Sequence, residues 1–300
     1  MRASILQSLY KLAPFNLKGD CKVNPASDNI AISCIINFYG RLDLLEGILF
    51  SLLQQDFDRS LFEVVLVEDR NGTPGGRALA EKFGNELQVR YHPLDKNFGM
   101  MGYSRNFGLE RSRGLIVLFL DDDTVITQTD FLTRLKSSFA VNPAVDAIVP
   151  HGHASFSLAA DRYDFHDPYF MTSRCMAYRQ EVLLELGGFV SDFVGQEDVE
   201  FVIRFFMAGK SYLNEPGLNY FHPPLLVPNF RKPKAVGHSF YKLRSRYPLL
   251  LWILVVANCS RHSLLYLLPV RKFREMGRFG IGFMTGIFLS LFNKDGFKYT

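Results

Sequence analysis

Gly114-Leu-Ile-Val-Leu-Phe-Leu-Asp121-Asp122-Asp123-Thr124 joins a run of large apolar residues to three consecutive carboxylates. Ile116 to Leu120 offers water no polar side, the pattern of a strand buried on both faces. Three like charges at the rim of a low-dielectric core repel one another, so a fold that puts them there needs a cation beside them. Oxygen ligands on a turn at the carboxyl end of a strand suit Mg²⁺ or Mn²⁺, which keep coordination positions open for phosphate oxygens. A solvated acidic turn is the plainer reading, and the rest of the chain decides between them.

Upstream, Ile30 to Ile36 reads as a first buried strand stopping at Asn37-Phe-Tyr-Gly-Arg41. Leu45, Ile48, Leu49, Leu52 and Leu53 then recur at helical spacing. Phe62 to Val67 is a second strand closing on Glu68-Asp69, a helix follows Pro74, and Leu87 to Tyr91 is a short strand. Tyr103 to Ser112 reads as the helix leading into the central strand. Downstream the pattern predicts a helix over Phe131 to Phe139, a strand over Val145 to Val149 and a helix from Arg179 to Leu186. A flexible approach from Phe189 to Gly195 leads into a helix opened by Glu197 and Asp198. Alternating strands and helices imply an α/β fold with a mostly parallel twisted sheet flanked by helices. Ligands of such sheets bind beyond the carboxyl ends of the strands, where Asn37–Arg41, Glu68–Asp69 and Asp121–Asp123 converge.

Three hundred residues with 48% hydrophobic content exclude disorder. The net charge of +4 is unevenly spread: from Arg231 onward thirteen Lys or Arg face only Glu275 and Asp295, leaving an acidic body. The expected division is an N-terminal segment 1–29 with a short amphipathic helix at Ile5 to Leu12, a catalytic domain 30–230, and a helical tail 231–300. The tail's apolar runs, Pro248 to Ala257 and Phe279 to Phe292, fall short of the ~20 residues of a transmembrane helix. Their basic flanks fit helices lying at an anionic membrane surface, or packing on the domain, better than nucleic acid, for which no module is present. Cys21, Cys34, Cys175 and Cys259 have no disulfide or metal spacing and there is no signal-peptide core. The expected location is cytoplasmic, peripheral on the inner face of the cell membrane.

The ordered series Asn37-Phe-Tyr-Gly-Arg41, Val65-Leu-Val-Glu-Asp69, Asn97-Phe-Gly99, Ser104-Arg-Asn-Phe-Gly108, Leu120-Asp-Asp-Asp-Thr124, Gly187-Gly-Phe189 and Gln196-Glu-Asp-Val-Glu-Phe201 resembles the inverting family 2 glycosyltransferases of the GT-A fold, with galactosyltransferase-type C-terminal motifs. The resemblance spans roughly Ile30 to His222. It implies a nucleotide-sugar donor carrying UDP or GDP and a glycan or lipid-linked glycan acceptor, in polysaccharide or glycolipid synthesis. It also implies a metal held by Asp123 with Asp121 nearby, neutralising charge that grows on the leaving phosphate. Three acids in a row leave the division of labour open, with Asp122 a group that could face the sugar. By the same pattern Asp69 bonds the base and Phe38 or Tyr39 cups it, although Asn37-Phe-Tyr-Gly departs from the usual Pro-Thr-Tyr-Asn turn. Arg105 is either a fixed charge for the diphosphate or an ordinary ion pair. His222 falls where relatives complete the metal site, or is a packed residue before prolines. Asp198 matches the general base, ionised without special tuning, and Glu197 would orient the acceptor or brace the loop. Asp164 and His166, in the loop-like stretch His151 to Asp167, are further acceptor candidates. A nucleotidyltransferase would need a Gly-rich phosphate loop after the first strand, which is missing. A non-catalytic partner subunit would not need Asp123 and Asp198.

Overall fold

A computed structural model describes residues 2–26, 29–154, 169–223 and 227–292. The chain runs α1 (Ala3–Leu12), β1 (Ile32–Phe38), α2 (Leu42–Leu53), β2 (Phe62–Glu68), α3 (Pro74–Gly84), β3 (Val89–Pro93), α4 (Met101–Leu109) and β4 (Ile116–Asp121). It continues through α5 (Phe131–Val141), β5 (Ala147–Ala154), β6 (Cys175–Arg179), α6 (Gln180–Leu186), α7 (Glu197–Met207) and β7 (Tyr212–His222), then α8 (Arg231–Lys242), α9 (Leu249–Ser260) and α10 (Arg271–Phe292).

The strands form one seven-stranded sheet in the order β3-β2-β1-β4-β6-β5-β7. β6 runs antiparallel to both its neighbours, and the other described pairs are parallel. β1 and β2 are buried at every position because helices cover both faces. On one face α2 lays down Leu45, Ile48, Leu49 and Leu52. On the other lies α4, where Gly108 lets the helix approach so closely that a Cβ would sit 2.6 Å from Ile35 Cγ2. Thr73 caps α3 by accepting from the Gly76 amide at 2.9 Å, with Pro74 at the first helical position.

Several features differ from the sequence reading, among them that β5 runs on through Ala154, held by pairing with β7, where a strand ending at Val149 and a loop-like stretch from His151 were expected. β1 ends at Phe38, so Asn37 and Phe38 belong to the strand and the turn begins at Tyr39. β6 and β7 were not foreseen: β6 is five residues long and β7 is exposed or half-exposed over its first half. The Phe189–Gly195 approach is firmly held, with Phe189 and Phe193 fully buried, the Gly102 amide bonded to the Phe193 carbonyl, and Asn106 bonded to both polar groups of Phe189.

The segment after residue 230 shares a core with the rest of the molecule. Leu6 of α1, Val190, Phe193 and Met207 pack with Val236, Phe240, Tyr247, Val255 and Phe283. Gly237 and Gly286 let α8 and α10 touch backbone to backbone. Leu249–Leu267 is long and apolar enough to cross a membrane by length and composition alone, with mean hydropathy 1.4 and 17% of it buried. It exceeds the apolar run expected from sequence because helical turns continue beyond α9, although the α-helical part ends at Ser260.

Candidate active site

β4 delivers Asp121 at its last residue, and the following turn carries Asp122 and Asp123. That turn is pinned from below: the Asp121 amide bonds the Arg174 carbonyl at 3.2 Å, and Thr124 Oγ1 donates to the same carbonyl at 2.6 Å. One residue on, Val125 and Phe221 exchange a pair of backbone hydrogen bonds at 2.8 Å. This bridge brings His222, the last residue of β7, against the acidic turn.

His222 Nε2 lies 3.0 Å from Asp123 Oδ1 and 3.7 Å from Asp121 Oδ2. Its Nδ1 is 2.6 Å from the Pro223 carbonyl, which can only accept, so Nδ1 carries the proton and the neutral ring turns its Nε2 lone pair toward the carboxylates. A lone pair and two carboxylates facing one another demand a positive charge between them. Ligand atoms of Asp121, Asp123 and His222 all lie within 4.8 Å of one another. In the metal-free chain the same demand falls on a proton. Burial disfavours imidazolium, yet hydrogen bonding and attraction to Asp121 and Asp123 outweigh burial and raise the His222 pKa. Burial likewise works to raise both carboxyls, and His222, with Arg105 for Asp121 and Arg41 for Asp123, holds them below the ordinary carboxylate range. Asp122 differs: burial first, then Asp123 and Asp121, push it up to about 7 against the pull of Arg41. Arg41, left-handed at φ 47°, reaches Asp122 at 3.3 Å and Asp123 at 2.5 Å. The sequence reading placed Arg41 in the first turn but gave it no part at the carboxylates.

α4 contributes Arg105, only 3% exposed. Its Nη2 is 2.9 Å from Asp121 Oδ1 and its Nε 2.6 Å from Glu197 Oε1, while Nη1 is buried without a hydrogen-bond partner. One guanidinium therefore ties the strand-end acid to the first residue of α7. Glu197 is itself 2% exposed; burial, then Asp198, against the opposing Arg105, push its carboxyl up to about 7. Gln196 enters the helix in the left-handed region at φ 61°, so the chain turns sharply just before Glu197 and Asp198. Asp198 is less buried, and its oxygens accept from the Ser173 amide at 3.0 Å and the Val199 amide at 2.8 Å. Ser173 adjoins the Arg174 that pins the acidic turn, so Asp198 and Asp121 are joined by both bridges to the same neighbourhood.

At the end of β2, Asp69 Oδ2 accepts from the Gly99 amide at 2.9 Å while Oδ1 is buried with no partner. Tyr39 is 49% exposed beside it, with the Arg70 guanidinium 4.7 Å from its ring centre. Phe38 is a correction to the expected base-cupping pair: at 4% exposure it packs into the core, because successive strand residues point to opposite faces. Its contribution here is a carbonyl that accepts from the Asp69 amide at 3.0 Å. Glu68 braces the adjoining turn by accepting from Thr73 N and Oγ1 and from Tyr91 Oη.

His151 and His153 stand on β5 as a ring ladder, His151 on Tyr169 at 4.9 Å and His153 on Phe221 at 5.3 Å. Asp164 and His166 lie outside the described residues.

Residues 33–180 match the model of the family described as Glycosyl transferase family 2. Poly(ribitol-phosphate) beta-N-acetylglucosaminyltransferase TarS of Staphylococcus aureus is 35% identical over 96 residues, which is 32% of this chain and 17% of that protein. The chain therefore corresponds to less than a fifth of the curated relative it matches there. Glycosyltransferase AglE of Haloferax volcanii is 28% identical over 252 residues, covering 75% of this chain and 80% of that one. Among solved structures, mannosyltransferase PcManGT from Pyrobaculum calidifontis in complex with GDP-Man and Mn²⁺ superposes with a TM-score of 0.60 at 17% identity, over 98% of this chain and 96% of that one. TarS 1–349 in complex with UDP-GlcNAc gives 0.56 at 16% identity, over 90% and 94% respectively. At these identities the structural likeness speaks to the fold.

Proposed function

Since the chain belongs to glycosyl transferase family 2 and has the GT-A fold, we propose that it transfers a sugar from a UDP- or GDP-linked donor to a hydroxyl of a glycan or lipid-linked glycan, by one displacement with inversion. The single observation that carries the reading is the Arg105 bridge, which holds Asp121 and Glu197 on one guanidinium and so brings acids of two distant segments together. Asp121, Asp123 and His222 would hold a divalent cation, in keeping with the Nε2 lone pair turned toward the two carboxylates. When bound, Mn²⁺ or Mg²⁺ there supplies Lewis-acid charge for the departing diphosphate.

The remaining roles belong to the chain's own groups. Asp69 offers an unpaired, buried Oδ1 that suits an N–H on a uracil or guanine edge, with Tyr39 as the exposed ring beside it. Asp198 takes the acceptor's proton. Two backbone amides fix its carboxylate and leave each oxygen a further lone pair. Glu197 and Arg105 are positioning residues: the salt bridge between them sets the start of α7, and hence where Asp198 stands. Asp122, outside the Asp121, Asp123 and His222 set and paired with Arg41 at 3.3 Å, is the acid of the three left to face a sugar hydroxyl.

A peripheral contact with the inner face of the cell membrane fits the exposed apolar residues Leu249, Leu250, Leu264, Leu267 and Phe288 of the basic C-terminal segment. Metal-dependent release of UDP or GDP from a panel of nucleotide sugars, scored with and without chelator, tests the reading. No release from any UDP- or GDP-sugar by folded protein, with or without an added hydroxyl acceptor, would favour a non-catalytic partner subunit.

A further inference from the structure

Arg271, Arg274 and Arg278 share one face of the first two turns of α10, being spaced by three and four residues. With Pro228, Pro269 and Glu275 they line a cavity of about 400 Å³. Glu275 is buried and held by Arg271 at 3.2 Å, and Arg278 donates to the Val227 carbonyl. The Arg271 side chain is 84% exposed, and Arg274 is exposed over the Tyr266 ring at 5.8 Å. Three guanidiniums against one carboxylate leave the cavity cationic, and it lies at the N-terminal, positive end of a 22-residue helix.

Its surroundings say what kind of anion it meets. Leu267 is 81% exposed just before Pro269, and Leu268, Val270 and Phe273 are also exposed. Exposed apolar side chains that alternate in sequence with the residues lining the cavity serve no purpose for a free-phosphate site in water. The same side chains set roughly 5–10 Å into the headgroup and acyl boundary would leave the arginines level with lipid phosphates. The guanidinium fork matches phosphate geometry, so three on one helix face hold a headgroup more firmly than diffuse charge.

We infer that this cavity binds the phosphate of an anionic lipid headgroup and fixes the enzyme's pose on the bilayer. The inference rests on the membrane contact proposed above and names its residues and chemistry. Pro228 follows His222 along the chain by a segment spanning at most roughly 20 Å. A phosphate held in the cavity therefore sets how far the cleft stands above the bilayer, and which lipid-borne hydroxyls it can reach.

Flotation with phosphatidylcholine vesicles, with and without phosphatidylglycerol, tests this on the full chain. Wild type should partition onto the phosphatidylglycerol vesicles, and R271Q/R274Q, assayed below its melting midpoint because Glu275 loses its Arg271 partner, should lower that coefficient by about thirty-fold, the attraction two juxtamembrane cations usually provide. K11Q/R244Q, the same charge change on exposed side chains away from the cavity, should lower it less than threefold. Equal falls in the two variants, or unaltered partition of R271Q/R274Q, would overturn the cavity. Inorganic phosphate that binds the wild type and not R271Q/R274Q in vesicle-free solution, with no flotation of wild type on phosphatidylglycerol vesicles, would overturn the lipid assignment in favour of a soluble anion. Donor hydrolysis on the same preparations tests the transferase reading separately, because partition needs no donor.

Discussion

His222 shows how little a residue's identity says until its second nitrogen is accounted for. A histidine before two prolines is as readily a packed side chain as a ligand, and only the Pro223 carbonyl at Nδ1 fixes which way the lone pair looks. If that lone pair serves a cation, Asp123→Ala and His222→Ala should each abolish metal-dependent nucleotide binding in a calorimetric titration with Mn²⁺. Wild-type binding that survives chelation would dismiss the metal centre. Asp198→Asn is the complementary variant. It keeps the shape and, with its one oxygen turned to the Ser173 amide, that contact, while basicity and the acceptor for the Val199 amide are lost, so donor affinity should stay within about twofold while transfer falls roughly 10²–10⁴-fold. Transfer at the wild-type rate would remove Asp198 from the base role. Arg41 was the least legible residue of the site, and Arg105 was legible as a charge without its partners. A cation beside an acidic turn is visible in sequence only when it lies within a few positions, and Arg41 and Arg105 reach Asp123 and Asp121 across the sheet.

Among the elements, β1, β2 and β4 were legible because each is an apolar run with buried faces on both sides, a signal independent of the neighbouring strand. β6 and β7 were not. Five residues ending in Arg179 carry no period. The first half of β7 includes Asn214, Glu215, Pro216 and Gly217, residues that mark turns, and its pairing with β5 shifts register between Pro150 and His151. Pairing supplied by neighbours made these strands, and no single-segment pattern records it. Glu63, a carboxylate inside an otherwise apolar strand, belongs to the same lesson. It is fully buried on β2, accepting from Ser33 of β1 at 2.7 Å, Arg90 of β3 at 3.1 Å and Arg113, just before β4, at 2.9 Å. Burial works to raise its pKa, but those hydrogen bonds prevail and lower it. A lowered folded-state value means that the stabilisation is fully present above the unfolded value near ~4.3 and is lost as pH falls through the folded one. Glu63→Gln should therefore cost about 1–3 kcal/mol at pH 7. Its gap from wild type in urea melts should close as the pH drops below about 4, and a gap constant from pH 7 to 2.5 would contradict the argument.

At the scale of the whole molecule, the expectation of an acidic catalytic body with a basic tail is right about charge and incomplete about packing. Arg204 is the clearest reason. Wholly buried on α7, it holds Glu200 through two bonds at 2.7 and 2.8 Å and donates to the carbonyls of Leu17, Leu186 and Gly188, stitching the N-terminal strap to the end of α6. The Glu200 carboxylate also accepts from Tyr247 Oη at 2.8 Å, and the Tyr247 ring packs on Phe15 at 4.8 Å. Residues from both chain ends thus close on one buried ion pair. Removing one member of such a pair leaves an uncompensated charge, so Arg204→Ala should lose about 3–5 kcal/mol, read from the denaturant midpoint. The same closure decides what truncation can report. Deleting everything from Tyr247 removes the whole proposed anchor, but it also strips a 4%-exposed phenol, Leu251 and Phe283 from the shared core. Residues 1–246 should therefore aggregate or melt without cooperativity, by size-exclusion chromatography and circular dichroism. Leu249→Gln with Leu250→Gln, 61% and 66% exposed in the full chain, should keep the wild-type melt while weakening vesicle binding. A monomeric 1–246 with a sharp melt would mean that the C-terminal helices are an appendage after all, and that the body holds its shape without them.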